Sequence, residues 1–119
     1  MNKKPVLDDS YKLTVLCRIE PGCLGPNGKE LIDDFCRYAQ SRVQDIDAAF
    51  VIWKLLARHD KTQAEMHYSI SGKRLDHAKA ERYLAHFNQQ LEDFEDHFHN
   101  RLADLIDDYL QIQSSSGVL

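Results

Sequence analysis

From Asp76 to Gln113 the chain repeats apolar or small side chains in a rhythm that only a helix places on one side. Ala80, Leu84, Phe87, Leu91, Phe94, Phe98, Leu102, Leu105, Tyr109 and Ile112 follow one another in steps of 4, 3, 4, 3, 4, 4, 3, 4 and 3. Steps of three and four keep side chains on one helical seam. No Pro or Gly interrupts the stretch. A straight helix of about 36 residues would be about 54 Å long. A domain of this size has a radius of gyration of only about 13–14 Å. The seam therefore has two outcomes. The helix breaks near Asn88-Gln89-Gln90, since Asn enters the left-handed conformation of helix ends. Or its second half meets another molecule through Phe94, Phe98, Leu102 and Leu105, and the chain acts as a homodimer.

The residues before Asp76 read as the sheet on which this helix packs. Tyr11 to Glu20 alternates, with Tyr11, Leu13, Val15, Cys17 and Ile19 on one face and Lys12, Thr14, Leu16, Arg18 and Glu20 on the other, the pattern of a half-buried strand. The loop Pro21 to Gly28 holds three glycines and two prolines. Asn27 then reads as a helix cap with Glu30 reaching back to it, and a helix follows to about Gln44. Its inner stripe is Ile32, Cys36, Ala39, Val43 and Ile46, widened by Leu31 and Phe35. Ala49 to Arg58 is a strand apolar on both faces, which places it centrally. Gln63 to Ser71 is a third strand, forming an antiparallel hairpin with the second.

These elements predict an α+β fold. A three-stranded mixed sheet of order β-α-β-β-α is covered on one face by a crossover helix and the long C-terminal helix. Strands one and two run parallel, as a crossover requires. Residues 1–10 read as a flexible arm, 11–113 as a single domain and 114–119 as a disordered tail. The helices would cover the face of Val15, Trp53 and Tyr68. The opposite face carries Leu16, Phe50, Ile52 and Leu56 with no second layer, so Phe50, Ile52 and Leu56 join the seam as candidate interface residues.

Composition narrows the functional classes. With 43% hydrophobic and 29% charged residues in 119, the chain is neither disordered nor membrane-spanning in pattern. Three cysteines, an odd number, fit a reducing compartment, and no signal peptide is readable, so a cytoplasmic location is expected. Net charge is −4, unevenly spread: residues 54–82 carry +3 and residues 83–119 carry −6. The acidic helix suits a basic protein partner. Nucleic acid would need the basic residues Lys54, Arg58, Lys61, Lys73, Arg74, Lys79 and Arg82 to form one stripe, and +3 is modest for that role.

No catalytic, cofactor or metal motif survives inspection. Cys23 stands where a phosphate-binding loop needs its first glycine, and Glu30 where it needs a hydroxyl. Gly22, Gly25 and Gly28 are spaced three and three, which misses the dinucleotide fingerprint. Cys17, Cys23 and Cys36 lack zinc-ligand spacing. Glu92, Asp96 and His99 align on one helix face with Glu95 beside His99, but the first helix offers no histidine to complete a di-metal site. The sequence thus points to a small non-enzymatic protein-binding module: an adaptor, regulator or chaperone-like protein. An enzyme or small-ligand binder built on the Cys23 loop is the alternative, and a weak nucleic-acid module on the basic hairpin is the third.

Overall fold

Alternation in the first strand is obeyed residue by residue. Leu13, Val15, Cys17 and Ile19 are buried in β1 (Leu13–Ile19), while Thr14, Leu16 and Arg18 between them are only half-buried. The computed structural model describes residues 7–116. Six elements follow β1: α1 (Gly28–Arg42), β2 (Val51–Ala57), β3 (Met66–Ile70), β4 (Lys73–Leu75), α2 (His77–Ala85) and α3 (Leu91–Ser116). The chain is α+β, as its pattern implies. Residues 1–6 of the expected arm and 117–119 of the expected tail lie outside the described residues. Inside them, Asp9–Tyr11 form a 3-10 turn capped by Asp8, so Tyr11 lies before β1 and is 66% exposed, not on the inner face, and α3 runs on through Ser114 to Ser116.

β1 and β2 pair in parallel with Val15 opposite Trp53, joined by α1 as the crossover helix. The sheet departs from expectation in two ways. It has four strands, in the order β2-β1-β3-β4, because Lys73–Leu75 turn back onto β3. Ser71 (φ 51) and Gly72 (φ 79) are both left-handed between the paired residues Ile70 and Lys73, which is the geometry of a tight hairpin matched to strand twist. And β3 pairs with β1, not with β2. The link from β2 to β3 crosses the end of β1, where Arg58 N–H donates to Ile19 O at 2.9 Å and Arg18 N–H donates to Glu65 O at 2.8 Å. Arg58 holds this link in place, donating to Glu20 Oε1 at 2.7 Å and to the carbonyls of Lys61 and Gln63.

β1 is therefore central and β2 is an edge strand. β2 reads as central because it is apolar on both faces. Its outer face carries no layer among the described residues, and on its free edge side chains of α1 take the place of a neighbouring strand. Gln40 on α1 donates to Trp53 O at 2.7 Å and accepts from Leu55 N–H at 2.8 Å; Gln44 donates to Trp53 O at 2.9 Å. Two glutamine amides thus occupy backbone groups that would otherwise template another strand.

The long seam breaks at Asn88. Its φ is 60°. Gln89 N–H donates to Leu84 O at 3.0 Å and Asn88 N–H to Ala85 O at 3.1 Å, the paired bonds of a Schellman end. Asp76 caps the start of α2, its carboxylate accepting from Lys79 N–H at 2.8 Å. After the break α3 folds back over the sheet. Asn88→Ala is expected to cost about 1–2 kcal/mol, because Cβ sterics disfavour the left-handed conformation and alanine lacks the side-chain oxygen that lets Asn tolerate it. Asn88→Gly should hold wild-type stability. Urea midpoints at constant slope measure both; an alanine variant with the wild-type midpoint would show that the break is held elsewhere.

Asn27 does precede α1, but its side chain makes no capping bond. At φ −94° and ψ 14° it lacks the extended conformation a side-chain cap needs. Its carbonyl instead receives Glu30 and Leu31 N–H. Among the described residues every fully covered side chain of the sheet lies on the Val15, Trp53 and Tyr68 face, under the helices.

Candidate functional site

The interface expected on the second half of the seam is core. Phe94 and Phe98 stack on Trp53 with ring centroids at 5.2 and 4.3 Å. Leu102 and Leu105 are buried beside them. Tyr109 closes on α1, its ring 5.3 Å from Phe35 and its hydroxyl donating to Asp34 at 2.7 Å. Phe50 stacks face to face on Phe87 at 4.2 Å. The overhang that motivated a dimer is removed by the turn at Asn88, which supplies the seam with an intramolecular partner. Two of the seven candidates remain at the surface: Ile52 is half-buried and Leu56 is 49% exposed.

Those two belong to the sheet face that carries no helix. Strand alternation points Thr14, Leu16 and Arg18 of β1 to it, with Ile52, Lys54 and Leu56 of β2, His67 and Ser69 of β3, and Arg74 of β4. Register sets the pattern. Ile52, Thr14, Ser69 and Arg74 form one row, Lys54, Leu16 and His67 the next, and Leu56 lies beside Arg18. Leu16 thus lies diagonal to both Ile52 and Leu56, which flank Lys54 on β2, and the three make a bent apolar patch around that lysine. Every charged residue that the strands send to this face is basic: Arg18, Lys54 and Arg74.

The electrostatics agree. His67 is held below its ordinary pKa by partial burial first, and then by Arg74 and Arg18. Arg18 donates to Ala64 O at 2.8 Å and lies 3.4 Å from the His67 ring nitrogens. Carboxylates stand only past the strand ends. Glu20 is engaged by Arg58, and Glu65 lies 4.0 Å from His99. At the β4 edge lies a cleft lined by Arg74, His77, Lys79 and the carboxylate Asp76, with Met66 and Leu75 as its apolar part. Asp93, Asp96, Asp104, Asp107 and Asp108 are exposed on α3, in the helical layer. The molecule is bipolar: basic on the open sheet face, acidic on the helices.

Of the expected basic stripe, Lys54 and Arg74 come together here, whereas Arg58 is spent on Glu20. Arg18 lies outside that expected stripe, yet it belongs to the face. Its strand position is readable in the sequence, and so is β2 beside it; that β3 flanks it on the other side is not.

The Cys23 loop does not assemble a site. Cys23 is exposed in a 3-10 turn, Pro21–Leu24. Histidines pair singly at the surface, His59 with Asp33 at 3.6 Å and His77 with Glu81 at 3.3 Å. Glu95 receives the Tyr68 hydroxyl, not His99. Among the described residues no three His, Cys, Asp or Glu side chains gather to hold a metal ion.

The other two thiols are core groups. Burial pushes Cys17 up to about 12, with Glu65 adding to the rise, and Cys36 up to about 11. A disulfide-exchange reagent at neutral pH is expected to count one reactive thiol per native chain and three after unfolding; two in the native chain would contradict this burial. In the unfolded chain both thiols lose protons from about pH 8.5. The folded chain, which keeps them neutral, therefore loses stability as pH rises above that.

Among the described residues no helix is long and apolar enough to cross a membrane. Comparison with protein-family models, curated proteins and solved structures finds no match to the chain.

Proposed function

We propose that the chain is a non-enzymatic protein-binding module, an adaptor or regulator, which receives its partner on the open face of its sheet. One observation carries this reading. Ile52, Leu16 and Leu56 form an apolar patch around Lys54 with no covering layer among the described residues, while the opposite sheet face lies under helices. A sheet presented this way offers a rigid surface that mixes apolar and charged side chains, as protein interfaces do.

A second reading places a basic partner on the five exposed aspartates of α3. Photo-crosslinking amino acids at positions 56 and 104, in the cell that makes the protein, separate the two. A discrete protein adduct from position 56 and none from position 104 supports the sheet face. Adducts from position 104 alone overturn it in favour of the helix. An adduct of twice the chain mass from position 56 makes the partner a second copy.

A further inference from the structure

The charge and dimensions of the open face, taken with the docking role proposed above on which this step rests, select a kind of partner. We propose that the face binds an acidic amphipathic helix, with the apolar stripe of that helix on Ile52, Leu16 and Leu56 and its carboxylates on Arg18, Lys54 and Arg74.

Width is the first argument. Neighbouring strands lie about 4.8 Å apart, so β2, β1 and β3 together span about 10 Å, close to the diameter of one helix. Leu16 lies on the central strand, with Lys54 on one side and His67 on the other. Ile52 and Leu56 lie on β2 and Arg18 on β1, so a helix laid over β1 and β2 meets Ile52, Leu16 and Leu56 with Arg18 and Lys54 among them, and Arg74 on β4 lies toward its β3 flank.

Charge is the second. All three strand-borne charges of the face are positive, and Arg18 and Arg74 already disfavour a proton on His67. Two copies placed face to face would bring these cations together, and like charges across an interface are strongly unfavourable. Single-stranded nucleic acid fits less well, since it needs aromatic platforms for its bases. The outward strand positions hold no Phe, Tyr or Trp, and their one ring, the His67 imidazole, is half-buried. A partner adding a strand is also disfavoured, because Gln40 and Gln44 occupy the β2 edge and β4 is a basic edge of three residues.

The test uses a fluorescein-labelled designed peptide about five turns long, with leucines on one stripe and glutamates flanking it. A second peptide carries lysine in place of each glutamate, and the third probe is an oligothymidylate. The glutamate peptide should bind the full chain at least about tenfold more tightly than the lysine peptide, and less tightly as salt rises. Lys54→Glu and Arg74→Glu, each with a wild-type thermal melt, should each weaken it several-fold. Binding should raise the His67 titration followed by NMR. Equal affinity for the two peptides, tighter binding of the oligothymidylate, or indifference to both substitutions overturns the proposal.

Failure here is distinguishable from failure of the docking role. If position 56 crosslinks a partner while the glutamate peptide does not bind, the acidic helix is wrong and the docking face stands. If the peptide binds and position 56 captures nothing in the cell, the docking role falls.

Discussion

Gly28→Ala is expected to destroy the native fold. Helix propensity argues the other way, since alanine is favoured over glycine inside a helix by about 1 kcal/mol. Packing decides against it. Gly28 is the buried first residue of α1, and a Cβ built there would lie 1.7 Å from Pro21 O and 2.6 Å from Pro21 C. Both contacts are backbone, so no side chain can swing aside. The turn has little room to open, because Gly28 N–H donates to Gly25 O at 3.0 Å and Gly25 sits at φ 90°. Overpacking commonly costs about 1–3 kcal/mol and more where the backbone must move, against a total stability of about 5–15 kcal/mol for a domain. The check is the urea midpoint and the circular dichroism of the variant. Gly22→Ala, where an added Cβ meets nothing within 4 Å, should stay within about 0.5 kcal/mol of wild type. A Gly28→Ala protein as stable as its parent would mean that the Pro21 contact is not as close as described.

Trp53→Ala carries the second large effect. Trp53 is fully buried between sheet and α3. Phe98 stacks on it at 8° and Phe94 at 14°, and its indole N–H donates to Ile46 O at 2.8 Å. Truncation removes the ring and leaves a cavity, a loss of about 3–5 kcal/mol, and it strands the Ile46 carbonyl as well. Trp53→Phe keeps most of the packing and loses the hydrogen bond, so a smaller loss of about 1–3 kcal/mol is expected. Circular dichroism must follow these variants, since Trp53 is the one tryptophan of the chain. A truncation costing under about 1 kcal/mol would show that α3 is not anchored on this ring.

The two substitutions bracket how much of the molecule is legible in its sequence. Most of the apolar seam is: Ala80, Leu84, Leu91, Phe94, Phe98, Leu102, Leu105 and Tyr109 are buried, Phe87 is half-buried, and Ile112 at the far end is 48% exposed. The break at Asn88 is legible as one of two outcomes, because the left-handed preference of Asn is local; that the helix takes it over a second chain is not. What covers the seam is not legible, since a stripe records that a face is buried and not against what. Gln40 and Gln44 show the same limit. Polar residues on a helix read as solvent-facing until a strand edge is placed beside them. The close approach of Gly28 to Pro21 also needs the folded turn; the sequence shows only another glycine in a loop.

The candidate face is half legible. Alternation within β1 and β2 is enough to separate Leu16, Ile52 and Leu56 from the core. It cannot bring Arg18, Lys54 and Arg74 together. Arg18 and Lys54 are 36 positions apart and share a face through the parallel pairing of β1 with β2, but Arg74 joins them only because β3 pairs on the far side of β1 and carries β4 beside it.

Sequence alone determined the elements other than β4, the inner faces of β1, α1 and α3, and the parallel pairing through α1, and it offered the turn at Asn88 as one of two outcomes. Each follows from interactions within a few residues or from the reach of one connection. Tertiary structure decided the strand order, the return of α3 over Trp53, and hence the separation of a basic open face from an acidic helical layer. These depend on which surfaces meet across long stretches of chain, where many pairings satisfy the same hydrophobic pattern and only the packed whole selects among them.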